Sequence, residues 1–249
     1  MWTTLQYKIL KAICPGEPPG MDGAAYAGKS KLRVLLGAEM LREIQGKSVV
    51  DFGCGDGHEA VEMAREGTRK VIGVDIRENA LERARIHAQE ADVASRCEFT
   101  TQITGSADLI VSIDSFEHFS DSGDILRIMY GLLAPGGVVL ISFGPTWYHP
   151  LGGHLFSVFP WAHLLFSERA LIRWRNDIRS DGATRFGEVE GGLNQMTIRR
   201  FEQLTERSPY FELEWLEAVP INKLRPMHNR LTREFTTAIV RAKLRRKNG

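Results

Sequence analysis

Residues 49–57 read Val-Val-Asp-Phe-Gly-Cys-Gly-Asp-Gly, and this stretch narrows the fold more than any other. Two β-branched residues run into an acid, and glycine then falls at 53, 55 and 57. The pattern is a buried strand entering a tight turn whose backbone approaches a ligand, because glycine alone accepts the positive φ and the close contact such a turn needs. A helix-forming run, His58 to Arg65, follows at once. Glycine spacing of this kind is shared by several nucleotide-binding folds. A second buried strand, Val71 to Ile76, sharpens the reading. It places Asp75 about 20 residues beyond the turn, where such folds keep a carboxylate for ribose hydroxyls. The turn reads D-x-G-x-G-x-G, not the G-x-G-x-x-G of dinucleotide sites. Asp51 at its start would repel a pyrophosphate and suits a ligand with an ammonium or sulfonium group.

The flanking sequence repeats the alternation. Helices are expected over 4–13 and 30–45, with Leu32, Leu35, Leu36, Met40, Leu41 and Ile44 near helical spacing in the second. A loop rich in Pro and Gly separates them. Strands are expected at 47–52, 70–75, 96–100, 108–113 and 138–143, and helices at 57–66, 78–91 and 121–133. Alternating strands and helices imply an α/β fold with a doubly wound, mostly parallel sheet and helices on both faces. After Pro145 the rhythm stops, and 145–195 reads as irregular and aromatic. Order returns in a helix at 197–206 and strands at Phe211–Val219 and Phe235–Leu244.

Four segments in order carry a family resemblance: VVDFGCGDG at 49–57, VIGVDI at 71–76, ADLIVSIDSFEHFSD at 107–121 and LLAPGGVVLISF at 132–143. Over roughly residues 45 to 145 the chain resembles the class I S-adenosylmethionine (SAM)-dependent methyltransferases. The resemblance implies a seven-stranded sheet whose last two strands form an antiparallel pair at its edge. It implies that the turn of Asp51, Phe52, Gly53 and Gly55 carries the methionine end of SAM, with Asp51 near the amino group. Asp75 then holds the ribose, Ile76 packs on the adenine, and Asp114 contacts the methionine part. Many members place an acid after the third strand for the adenine amine; here Gln102 stands in that region. No N-P-P-Y-type sequence, the mark of amino methylation of adenine or glutamine, follows strand four.

Ligands of open α/β sheets bind at the carboxyl ends of the strands. Strand four ends Ile113-Asp114-Ser115-Phe116-Glu117-His118, and strand five runs on to His149 and His154. Methyl transfer is an in-line displacement at carbon, so the protein mainly supplies proximity and orientation. A hydroxyl acceptor also needs a base, and His118, His149 and His154 are the candidates. Asp114-x-x-Glu117-His118 also looks like the E-x-x-E-H element with which ubiquinone-pathway O-methyltransferases and small-RNA 3′-end methyltransferases bind a divalent metal. On that reading Asp114, Glu117, His118 and His154 are metal candidates; on the favoured one the Glu-His pair works without metal. SAM is the expected cofactor and S-adenosylhomocysteine the product.

The remaining features set bounds. At 249 residues and 43% hydrophobic, the chain suffices for one domain with an elaboration. Its divisions are expected as N-terminal helices over 1–45, a cofactor core over 46–144, an insert or lid over 145–195 and a C-terminal helix and strand pair over 196–249. Trp147, Tyr148, Phe156, Phe159, Trp161, Phe166 and Trp174 make the insert a lid for an apolar acceptor or a satellite core. Cysteines 14, 54 and 97 form no disulfide or zinc pattern, and the N-terminus shows no secretory signal, so a reduced cytoplasmic protein is expected. Residues 128–167 hold no Asp, Glu, Lys or Arg, but prolines and glycines break them too often for a membrane span. From Lys223 onward nine Lys or Arg face one acid, Glu234. The favoured reading is an edge strand kept soluble by charge; peripheral contact with an anionic membrane is the alternative. Nucleic acid finds little support, since few aromatics interleave the basic residues. The expected partner is a small-molecule acceptor: a sugar, lipid-linked, quinone-like or natural-product hydroxyl. A nucleic-acid or protein methyltransferase, or a SAM-binding regulator without catalysis, is the alternative.

Overall fold

The computed structural model describes residues 2–17, 30–102, 105–179, 181–189 and 191–248. Most of the Pro/Gly-rich loop expected before residue 30, and Ile103 and Thr104, lie outside the described residues. Seven strands form one sheet: β1 Ser48–Phe52, β2 Lys70–Val74, β3 Cys97–Thr100, β4 Ala107–Ile113, β5 Leu133–Phe143, β6 Phe211–Pro220 and β7 Thr237–Arg246. Their spatial order is β3-β2-β1-β4-β5-β7-β6. The first five pair in parallel, and β7 lies antiparallel between β5 and β6. The helices are α1 Trp2–Ile13, α2 Lys31–Glu43, α3 His58–Arg65, α4 Glu78–Glu90, α5 Ser122–Leu132, α6 Ala162–Leu165, α7 Glu168–Arg175, α8 Ile198–Glu206 and α9 Arg233–Thr236.

Strand side chains alternate between faces, and both faces of this sheet are covered. Val49, Leu109, Val111, Val138 and Leu140 point to one side, where they meet Leu32, Leu36 and Met40 of α2 and Leu81 of α4. Val50, Ile110, Val139, Ile141 and Phe143 point to the other, against Leu126 and Met129 of α5 and Phe201 of α8. That two-sided burial is why these strands read as continuous apolar runs in sequence.

Four expectations need correction. The helix expected unbroken over 30–45 is interrupted at Gly37 (φ 78°, ψ 164°). Arg241 of β7 serves the carbonyls freed by the break, donating to Leu35 O at 2.8 Å and Val34 O at 2.7 Å. Strand β5 starts at Leu133, paired with Ala107, and Ala134 to Gly137 then bulge out before Val138 pairs with Leu109. Strand β7 begins at Thr237, because Phe235 belongs to the short helix α9. The stretch 145–195 is not irregular throughout: it forms α6 and α7. Phe156, Leu171, Trp174, Phe186 and Leu193 of this stretch bury with Leu10 of α1 in a third apolar cluster. Trp174 Nε1 also donates to Cys14 O at 2.7 Å, tying the insert to the N-terminal segment.

Candidate functional site

The carboxyl ends of β1, β2, β4 and β5 meet at one edge of the sheet, which is where the parallel arrangement leaves a crevice. The glycine turn lies there. Gly53, Gly55 and Gly57 have φ of 86°, 51° and 76°. The turn is fixed from β2: Gly53 N and Cys54 N both donate to Val74 O, at 2.8 and 3.0 Å. A Cβ on Gly53 would come within 2.6 Å of Ser115 Oγ on the β4 loop, so the turn also needs glycine for space.

Asp51 is buried, and its Oδ2 has no hydrogen-bond partner. Burial drives its carboxyl well above the usual range, with Glu59 adding to the rise and Lys31 opposing it. A buried carboxylate oxygen left unsatisfied is costly unless a cation meets it. Asp114 repeats the pattern at the end of β4. It sits at positive φ (46°), one oxygen pairs with Lys31 Nζ at 3.1 Å, and Oδ1 is buried without a partner. These unsatisfied acids beside a glycine turn fit a ligand with ammonium and sulfonium charge, which SAM supplies.

Asp75 directly follows β2, and its oxygens are engaged. Gly55 N donates to Oδ2 at 2.9 Å, while Arg77 donates through its backbone N and its guanidinium. Burial pulls this carboxyl upward, but the bonds from Arg77 and Gly55 more than offset it and hold it below its ordinary value. Ile76 projects beside it with 92% of its surface exposed, an apolar face without cover. Phe52 stays with the core, edge-on to Phe119. Gln102 is exposed beyond β3, where its backbone exchanges hydrogen bonds with Thr100 Oγ1.

On the acceptor side, the structure brings His118 and His154 together, with ring centroids 5.4 Å apart. His118 Nδ1 lies 2.8 Å from Gly192 O. A carbonyl can only accept, so Nδ1 carries the proton and Nε2 is left as a proton acceptor. His154 sits at φ 51° with Nε2 buried and unpartnered, and burial, then the neighbouring histidines, push it down to about 4. His149 is used differently. Its Nδ1 accepts from Leu151 N at 2.9 Å, which puts the proton of the neutral ring on Nε2. Burial, then His163, pushes His149 down to about 4 as well.

Glu117 is buried, accepts weakly from Gly144 N at 3.3 Å, and is pushed up to about 8 by burial and by Asp114. Its other oxygen, Oε2, is buried without a hydrogen-bond partner. Among the described residues no three His, Cys, Asp or Glu side chains converge to hold a metal ion.

Several site residues escaped the sequence. Lys31, from the first turn of α2, bridges Asp114 and Glu59. Asn194 laces the far end of the insert to the β4 loop: its N donates to Glu117 O, and its Nδ2 donates to Phe116 O and Phe119 O. His163 is a buried structural histidine, fixed between Ser157 Oγ and Trp147 O. The Gly191-Gly192 pair was the one local signal, since both take positive φ to bring the Gly192 carbonyl under His118.

Residues 26–180 match the model of the methyltransferase domain. The chain belongs to that family, and its fold is that of the class I SAM-dependent methyltransferases. A ubiquinone biosynthesis O-methyltransferase of Neisseria meningitidis is 36% identical over 107 residues, covering 40% of this chain and 45% of the relative. The chain thus spans about half the length of the curated relatives it matches. A SAM-dependent methyltransferase from Mesorhizobium loti shares the fold at a TM-score of 0.57 and 22% identity, covering 91% of this chain and all of that one. Magnesium protoporphyrin IX methyltransferase from Synechocystis, solved with S-adenosylhomocysteine, does so at 0.52 and 17% identity, over 83% and 76%.

Proposed function

We propose that this enzyme transfers a methyl group from SAM to the hydroxyl of a small, ring-bearing acceptor. The observation that carries the reading is the His118 imidazole, with Nδ1–H anchored on Gly192 O and a free Nε2 at the end of β4. In the family's arrangement the methyl lies beside that strand end. SAM supplies the electrophilic methyl carbon on a sulfonium that leaves as a neutral thioether. The chain's own work is then orientation and removal of one proton. Asp51 and Asp114 hold the cationic end, Asp75 the ribose, Ile76 one face of the adenine and Gln102 its amine. His118 Nε2 takes the hydroxyl proton as oxygen attacks in line. His154 is a neutral neighbour at pH 7, and His149 a hydrogen-bond donor through Nε2.

The 107-residue match to enzymes named for O-methylation in ubiquinone biosynthesis supports a quinone-like acceptor. The β7 part of the basic tail supports a small acceptor over nucleic acid. Arg241 pairs with Glu217, Lys243 with Glu43 and Glu214, and Arg245 with Glu214, so these charges are neutralised locally. We read 145–195 as both satellite core and acceptor wall within one methyltransferase domain. The test is transfer of labelled methyl from SAM to catechols and other phenols. Turnover that disappears in His118→Ala while SAM still binds supports the reading. Methylation of an amine or of RNA in preference to phenols would replace it.

A further inference from the structure

Most of the side chains that project apolar surface into solvent come from three segments. These are Trp2 (69% exposed), Leu5, Ile9 and Ile13 on α1; Tyr148, Leu151 and Leu165 (66%) in the insert; and Met227 (60%), Leu231 (91%) and Phe235 before β7. On α1 the four recur near helical spacing along one stripe, while Gln6 and Leu10 bury against the insert. The three segments touch in series. Phe235 stacks on Tyr148 with ring centroids 5.1 Å apart, and Trp161 Nε1 donates to Tyr148 O. Trp161 immediately precedes α6, whose last residue is Leu165, and Ser167 just beyond it bonds Gln6 of α1.

The charge on these segments is one-sided. Residues 2–13, 145–167 and 218–233 contain no Asp or Glu, yet they carry Lys8, Lys11, Lys223, Arg225, Arg230 and Arg233. Lys11 pairs with Asp177 and Arg233 with Glu202. Lys8, Lys223, Arg225 and Arg230 are exposed and have no carboxylate partner among the described residues. The whole chain has a formal net charge of +1, so this is a local excess.

We infer that this edge docks on an anionic lipid surface. Apolar side chains that project singly, with Trp and Leu among unpaired Lys and Arg, suit the boundary between head groups and acyl chains. A protein partner would need a recess for each projecting side chain. No described helix is long and apolar enough to cross a membrane, so the contact is peripheral. The inference also deepens the functional reading, and in that part it rests on it. Residues 145–167 carry both His154 of the site and Leu151 and Leu165 of the edge, so an acceptor with an apolar tail would be presented beside His118 and His154.

The test is cosedimentation of the full chain with phosphatidylcholine vesicles, with and without phosphatidylglycerol. Binding to the anionic vesicles alone is expected, and it should weaken as salt rises because the attraction is screened beyond about 8 Å at physiological ionic strength. Met227→Ser with Leu231→Ser, and separately Trp2→Ser with Ile9→Ser, should each lower vesicle affinity about tenfold. Lys223→Glu with Arg225→Glu should lower it about tenfold or more and remove the preference for anionic lipid. S-adenosylhomocysteine affinity should stay at the wild-type value in all three, which shows that they fold. No vesicle binding at low salt, or binding that these variants leave unchanged, overturns the inference. A dimer that Leu231→Ser dissociates overturns it in favour of a second copy. Sedimentation needs neither acceptor nor turnover, so the docking can stand if the hydroxyl reading fails, and the reverse.

Discussion

The proposed cofactor half and the proposed acceptor half of the site are built by different means. The first is local: a glycine turn, the acid that precedes it and the acid that ends the next strand all lie between residues 51 and 76. Their geometry follows from parallel pairing of β1 with β2 and from bonds such as Gly55 N to Asp75. The second is assembled at long range. His118 is oriented by a carbonyl 74 residues away, and Asn194 reaches back 78 residues to Phe116 O. A site made of backbone turns tolerates little substitution but is readable in the chain. A site made of distant side chains is free to change acceptor, and a single sequence hides it.

The sharpest way to break this contrast is Gly53→Val. With φ at 86° and Ser115 Oγ in the path of a Cβ, SAM binding measured by calorimetry should fall at least about 100-fold in a chain whose circular dichroism remains native. Normal affinity would show that the turn does not seat the cofactor. His118→Ala should instead slow kcat by about 10²- to 10⁴-fold with SAM affinity near wild type, because a base acts in the transition state. Equal losses in binding and turnover would erase the division into halves. Asp75→Ala should weaken SAM binding about 10- to 100-fold through loss of charge-assisted bonds to the ribose.

Stability against pH probes the buried acid between the halves. Glu117 is raised from 4.5 to about 8, so its contribution is complete below pH 4.5 and is lost as pH rises through 8. His149 and His154, lowered from 6.5 to about 4, contribute fully above pH 6.5 and lose that contribution as pH falls through 4. Between pH 6.5 and 8 the Glu117 slope stands clear of the histidines. Glu117 by itself should remove at most about 2 kcal/mol from the cofactor-free protein there, and Glu117→Gln should make the slope shallower in denaturant titrations. An unchanged slope would mean that Glu117 is already ionised. The smallest effect is expected from Arg77→Ala. Arg77 occupies the oxygens of Asp75 that the ribose would use, so its loss should leave SAM affinity within about threefold of wild type or improve it. A large loss would make Arg77 a cofactor ligand in its own right.

The amino-acid sequence by itself determined the sheet of parallel strands, the glycine turn and the places of Asp51, Asp75 and Asp114. Each is encoded within a few residues: a continuous apolar run, a positive φ that glycine adopts without strain, an acid at a strand end. The three insert histidines looked alike in sequence; the structure alone separated them, with His149 accepting from Leu151 N, His163 held between Ser157 Oγ and Trp147 O, and His154 left with Nε2 buried and unpartnered. It also decided that Arg241 mends α2, that Lys31 reaches the acids, and that the aromatic insert closes a core with α1. These depend on which distant segments come to lie together. That is set by the packing of the whole chain, because a side chain's protonation and partners belong to its surroundings and not to its neighbours in sequence.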